Sequence, residues 1–204
     1  SRYNDKWEVK IDEFTITNVS DKCLGYHSFA HALNYSCNVW MVRIAQKYWK
    51  SIAYQYLNNF GFSELTNISL QWEVTGELPP YVNWSRAKLF TTSYGLGVST
   101  TALQLATAYS ALANGGIYIR PRIIDSIDYP NGKKVIYKTE KVRRVIQEET
   151  SKIITSMLVD VVAHGWKNAA VPGYKVAGKT WTAQIASPGG YEEWVGSTFA
   201  SFAW

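Results

Sequence analysis

The sequence predicts an α+β fold, with a mostly helical stretch over about residues 21–116 and a sheet-forming stretch over about 117–204. Three observations carry this expectation. Apolar residues recur at helical spacing in several segments before Gly116, strand-like runs separated by turn residues follow it, and no regular strand–helix alternation of a doubly wound sheet runs through the chain. The 204 residues are 47% apolar, ample for a buried core. Charged residues make up 18%, below the roughly 25% of an average domain. This composition excludes a disordered tail. The 9 Trp, 14 Tyr and 7 Phe are scattered, which favours core packing over a sugar-binding groove. A net charge of +5 is dispersed, with no basic stripe for nucleic acid. No run reaches the roughly 18 apolar residues that span a bilayer, and residues 1–15 lack a signal-peptide profile.

Taken in order, Trp7, Val9, Ile11, Phe14, Ile16 and Val19 alternate weakly, as short strands or extended chain do. From Ser28 to Tyr48 the positions Phe29, Leu33, Val39, Val42, Ile44 and Ala45 keep helical spacing, interrupted at Ser36, so two helices meet there. A helix over Ile52–Phe60 stops at Gly61, and Pro79 and Pro80 make 78–84 a loop. Gly95 and Gly97 bracket a tight turn. Ser99 then caps a helix carrying Leu103, Ala106, Tyr109 and Leu112 as far as Asn114-Gly115-Gly116. Residues 123–129 and 135–137 flank Pro130-Asn131-Gly132 as a hairpin. A helix over about 150–163 buries Ile153, Ile154, Met157, Leu158, Val161 and Val162. Strands at 174–185 and 197–204 pair across a loop containing Pro188-Gly189-Gly190.

Two clusters suggest chemistry. Ser36-Cys37-Asn38 sits at the helix junction, and Lys179-Thr180-Trp181-Thr182 sits inside a strand. Taken alone, each triplet fits a bland reading: Ser36 as a helix cap and Lys179 as an exposed strand lysine. Their surroundings, YSCNV, WSRAKLFTTSYGLGVSTTALQLATAYSALANGG and VPGYKVAGKT followed by TAQIA, resemble class B penicillin-binding proteins, the monofunctional peptidoglycan transpeptidases. The likeness runs from about residue 20 nearly to the end, and the SYGLG wording looks like the division and sporulation branch. It implies the fold of serine β-lactamases and transpeptidases: an antiparallel sheet packed with helices beside a mostly helical subdomain. This chain looks like an interior part, incomplete at both ends. The long interval between Asn38 and Lys179, with the SYGLG segment inside it, favours a transpeptidase over a β-lactamase or D,D-carboxypeptidase.

The resemblance also implies roles. Acyl transfer from a stem peptide needs a nucleophile, a proton route, a carboxylate anchor and an oxyanion hole. Ser36 would pass the proton toward the leaving nitrogen and Lys179 would hold that hydroxyl. Asn38 would bond the donor amide. Thr180 and Thr182 would receive the carboxylate, and the Thr182 N–H would form half of the oxyanion hole. No cofactor is implied. The partners would be stem peptides, β-lactams, and a glycan polymerase with other division proteins. The domain would lie outside the cytoplasmic membrane, held by an anchor these residues lack.

Departures from the family pattern matter as much. The family order is S-x-x-K, S-x-N, K-T-G, so the nucleophile is expected upstream of residue 1; Ser85-Arg86-Ala87-Lys88 has the right spacing in the wrong place and is a decoy. Trp181 stands where the motif has glycine, and Trp40, Trp49, Trp72 and Trp204 also fall at expected glycines. Overpacking costs about 1–3 kcal/mol per site, so independent drift is a poor explanation for five such changes. A noncatalytic scaffold that kept the fold is the alternative Trp181 favours. Cys23, His27 and His31 have i, i+4, i+8 spacing that could line metal ligands along a helix, and Cys37 could pair with a histidine as a nucleophile. Both are weaker readings than buried, inert side chains.

Overall fold

The computed structural model describes residues 2–187 and 190–204, the side chains of 182–195 excepted. In chain order the elements are β1 (Arg2–Asp5), β2 (Glu8–Ile11), β3 (Phe14–Thr17), β4 (Gly25–Ser28), α1 (Phe29–Asn34), α2 (Asn38–Ala45), α3 (Lys50–Asn59) and α4 (Arg86–Thr92). They continue as α5 (Ala102–Ala113), β5 (Ile117–Ile119), β6 (Ser126–Asp128), β7 (Lys134–Ile136), β8 (Lys141–Arg144), α6 (Glu148–Gly165), β9 (Val176–Ser187) and β10 (Gly190–Ala203). The described strands form antiparallel pairs: β1 with β4, β2 with β3, β5 with β8, β6 with β7 and β9 with β10. No helix among the described residues is long and apolar enough to cross a membrane.

The chain divides into two compact units, the first made of residues 1–54, 79–98 and 153–204, the second of 55–78 and 99–152. In the first, the β2–β3 hairpin turns at Asp12 and buries Val9, Ile11 and Ile16 by strand alternation. Ser28 Oγ accepts from His31 N–H and starts α1. Helix α2 buries Val39, Trp40, Val42 and Ala45, a stripe of helical period, and packs against α1, α4, β1 and β3. Ser85 caps α4, a helix the periodicity does not reveal, by accepting from Lys88 N–H at 3.0 Å. The expected strand pair at the end is present as β9 and β10, with Ala200 opposite Lys179, and β10 begins earlier than residue 197. Pro188 and Gly189 of the expected loop lie outside the described residues.

The second unit is organised around Gln104, which is fully buried. Its Nε2 donates to Gly61 O and Glu64 O, and its Oε1 accepts from Gly76 N and Thr101 N. Thr101, not Ser99, therefore caps α5, through a capping box with Gln104. Ser99 instead pairs its backbone with Glu77. The buried face of α5 is Gln104, Thr107, Ala108 and Ala111, and Ala106 lies on the exposed side of the helix. Helix α6 begins in this unit, with Ser151 buried and its hydroxyl on Leu112 O; its residues from 153 on belong to the first unit, where Leu158, Val161 and Val162 are buried as expected and Ile153 is half exposed. The hairpin at 126–136 is present, while β5 and β8 are not legible locally.

Candidate active site

The site begins with how α1 ends. Cys37 N–H donates to Ala32 O at 2.9 Å and Ser36 N–H to Leu33 O at 3.4 Å, while Ser36 itself has φ +54°. This is the paired closure that usually takes glycine at the left-handed position. A serine there is uncommon and carries backbone strain, which points to a use for its hydroxyl.

Three features hold that turn in place. Cys37 forms a disulfide with Cys23, both cysteines being fully buried in a cluster with Ala32 and Trp40. Asn38, the first residue of α2, donates Nδ2 to Thr17 O at 3.0 Å. Asn18 Oδ1 accepts from Val39 N–H at 3.1 Å, and Asn18 Nδ2 donates to Lys6 O at 3.0 Å. Asn18 is thus a positioning residue for α2 that the sequence did not single out; it acts as a helix cap supplied from another element. The disulfide also removes the two cysteine readings. Cys23 ends a short 3₁₀ turn, His27 lies on β4 and His31 on α1, so these three do not share a helix face, and neither sulfur is a free ligand or nucleophile.

Opposite this turn, Lys179 extends from β9 and donates Nζ to Ser36 Oγ at 2.6 Å and to Thr180 O at 3.2 Å. Two residues 143 positions apart are therefore in direct contact. Burial pushes the Lys179 amine below the ordinary lysine value. A lysine so placed exchanges a proton with the serine hydroxyl more readily than a solvated one, which is what a proton relay requires.

Strand alternation puts Lys179 and Trp181 on one face of β9 and turns Thr180 to the other; it is the carbonyl of Thr180 that joins the Lys179–Ser36 pair. Thr182 stands opposite Ser197 in the β9–β10 ladder, so its backbone is placed, while its hydroxyl lies outside the described side chains. The Trp181 indole runs along the Lys179 face toward the loop after α4, where a Cβ on Gly95 would lie 3.6 Å from Nε1. Gly95, at φ +100°, has no side chain to obstruct it. The decoy serine is occupied structurally: Ser85 Oγ caps α4 and Lys88 Nζ donates to Gly97 O at 2.6 Å. No group of three or more metal-ligating side chains gathers among the described residues.

Comparison with known proteins identifies the family of the chain. Residues 2–204 match the penicillin binding protein transpeptidase domain. The chain is 36% identical over 195 residues to Stage V sporulation protein D of Bacillus subtilis, covering 94% of this chain and 30% of that protein. It is 32% identical over 182 residues to peptidoglycan D,D-transpeptidase FtsI of Escherichia coli, covering 89% of this chain and 27% of that one. Penicillin binding protein 3 of Mycobacterium tuberculosis, in its apo crystal structure, superposes with a TM-score of 0.86 at 30% identity, over 97% of this chain and 47% of that chain. The same protein has been solved with aztreonam and with ampicillin. The chain spans about 30% of the length of the first relative. With α-helices and antiparallel strands in the expected order and a family match over residues 2–204, the chain belongs to the penicillin-binding protein transpeptidase domain family, in the class B branch of the sporulation and division proteins.

Proposed function

We propose that the protein containing this chain is a peptidoglycan D,D-transpeptidase that cross-links stem peptides through a serine acyl-enzyme and is acylated by β-lactams. The observation that carries the reading is the 2.6 Å contact from Lys179 Nζ to Ser36 Oγ, which supplies a proton path beside a strand able to hold an extended peptide. In this reading the nucleophile belongs to an S-x-x-K segment that precedes Ser36 in the whole protein. Attack by the nucleophile's hydroxyl on the donor carbonyl forms the acyl–oxygen bond and breaks the peptide bond; the proton lost from that hydroxyl passes through the lysine of its own segment and Ser36 to the departing amine, and the amine of a second stem peptide then displaces the serine oxygen, which takes back a proton by the same route. Lys179 stays charged, donates to Ser36 Oγ and keeps the region electropositive for the terminal carboxylate of the substrate. Asn38 orients the donor amide and the Thr182 N–H polarises the carbonyl undergoing attack.

The cell-level setting is part of the same proposal: a membrane-anchored protein with this domain on the outer side, working beside a glycan polymerase of the division or sporulation machinery. The decisive experiment labels the full-length protein with a fluorescent penicillin. Ser36→Ala slows acylation by about 10²–10⁴-fold, the usual range for losing a positioned proton carrier, and Ser85→Ala leaves it unchanged. A covalent adduct on Ser85, or equal labelling of Ser36→Ala and parent, overturns the assignment.

A further inference from the structure

Two tryptophan environments contrast among the described residues. Trp84 represents one: it is 2% exposed, its Nε1 donates to Pro79 O at 2.8 Å, and its ring meets Tyr54 edge-on. Residues 40, 49, 72 and 181 represent the other, four of the five positions at which the resemblance expects glycine; the fifth, Trp204, stacks on Phe202 and enters on the resemblance alone. Each is at odds with an indole for a different local reason. Trp72 has φ +63°, in the left-handed region that favours glycine, and is 92% exposed, so no burial offsets the strain. Trp49 accepts the first backbone bond of α3, from Ala53 N–H at 3.2 Å, and so occupies the N-cap. Glycine serves well there, whereas an indole, a donor only, satisfies none of the helix's free N–H groups, and this one is 78% exposed. Trp40 is 3% exposed and its Nε1 is buried with no acceptor, the need that Trp84 meets. Trp181 fills the Lys179 face of β9 next to Gly95, at the place where the motif leaves the strand bare.

Independent drift would have to place tryptophan at four positions where the resemblance expects glycine, each ill-suited to an indole for its own reason. A single cause acting on the reading of one codon accounts for all of them. UGA is such a codon: some genetic codes read it as tryptophan, and it differs from the glycine codon GGA only in its first base, whereas UGG specifies tryptophan. We propose that residues 40, 49, 72, 181 and 204 are glycine in the protein its own cell makes, encoded by UGA and translated as glycine, while Trp84 is a true tryptophan encoded by UGG. The strand motif is then lysine, threonine, glycine, threonine, the face of β9 beside Gly95 is open to an acyl group, and the chain carries a competent site rather than a scaffold's remnant. For this functional consequence the proposal rests on the transpeptidase reading; for its local evidence it does not.

The test reads the gene's codons and the residue masses together. The full-length protein is isolated from its native cells, and its peptides are sequenced by tandem mass spectrometry. The expected result is UGA with a glycine mass at all five positions, and UGG with a tryptophan mass at Trp84. A tryptophan mass at residue 181, UGG codons at the five positions, or glycine confined to residue 181 overturns the common cause. Glycine at all five in a native protein that fluorescent penicillin does not label leaves this proposal standing and retires the transpeptidase reading, so the two fail separately.

Discussion

The ends of α1 and α4 use one backbone device with different residues. At α1 the closing bonds run from Cys37 N to Ala32 O and from Ser36 N to Leu33 O; at α4 they run from Leu96 N to Thr91 O and from Gly95 N to Thr92 O. The left-handed position is Ser36 in one and Gly95 in the other. Both are met by the same face of β9, Ser36 by Lys179 and Gly95 by Trp181. Glycine is the relaxed choice at such a position, and α4 makes it, leaving space. Helix α1 accepts strain to present a hydroxyl and reinforces the turn with a disulfide and the Asn18 and Asn38 bonds. Side-chain chemistry decides one end and side-chain absence the other.

Four outcomes would sharpen or break that contrast. Full-length protein made with tryptophan at 181 should react with a fluorescent penicillin about a hundredfold more slowly than its Trp181→Gly counterpart, a barrier difference of about 3 kcal/mol. Equal rates in folded protein would mean that the indole does not narrow the groove and that the Gly95 end plays no part in access. Next in size is the staple at the other end. Replacing both cysteines, Cys23→Ser with Cys37→Ser, opens a loop whose ends are 14 residues apart and should lower stability by about 3 kcal/mol in urea unfolding. An unshifted midpoint would show that the α1 end is held by packing alone.

A smaller effect tests the shared backbone directly. Ser36→Gly should raise stability by about 1 kcal/mol while slowing acylation, and Gly95→Ala should lower it by a similar amount. Opposite signs in equilibrium unfolding are the expected result, and equal signs would refute the parallel between the two turns.

The last outcome concerns pH. Burial lowers the Lys179 amine, so between its folded and unfolded titration points the unfolded chain binds more protons, and stability rises with pH across that alkaline window. Below the window the charged, buried amine is a constant burden. Lys179→Met should flatten the rise in midpoint temperature between neutral and alkaline pH. A slope unchanged by the substitution would place the origin of the pH effect elsewhere.

What the amino-acid sequence determined by itself is local. The break in helical period at Ser36, the stop at Gly61, the Pro130-Asn131-Gly132 turn and the strand bearing Lys179 are written within a few residues each, because helix and strand periods and turn dihedrals depend on near neighbours. The capping box of α5 was written locally too, as Thr101 followed by Gln104, but Ser99 offered a competing cap and only the burial of Gln104 chose between them. Helix α4 was obscured because its seven residues are too few to show a period, and β5 and β8 because their bonding partners lie in distant sequence. The disulfide from Cys23 to Cys37, the cap that Asn18 lends to α2, and the contact of Lys179 with Ser36 needed the folded chain. Sequence order can place a lysine and a serine in two motifs, but their distance of 2.6 Å and the burial that lowers the lysine exist only once strand β9 is docked beside the end of α1.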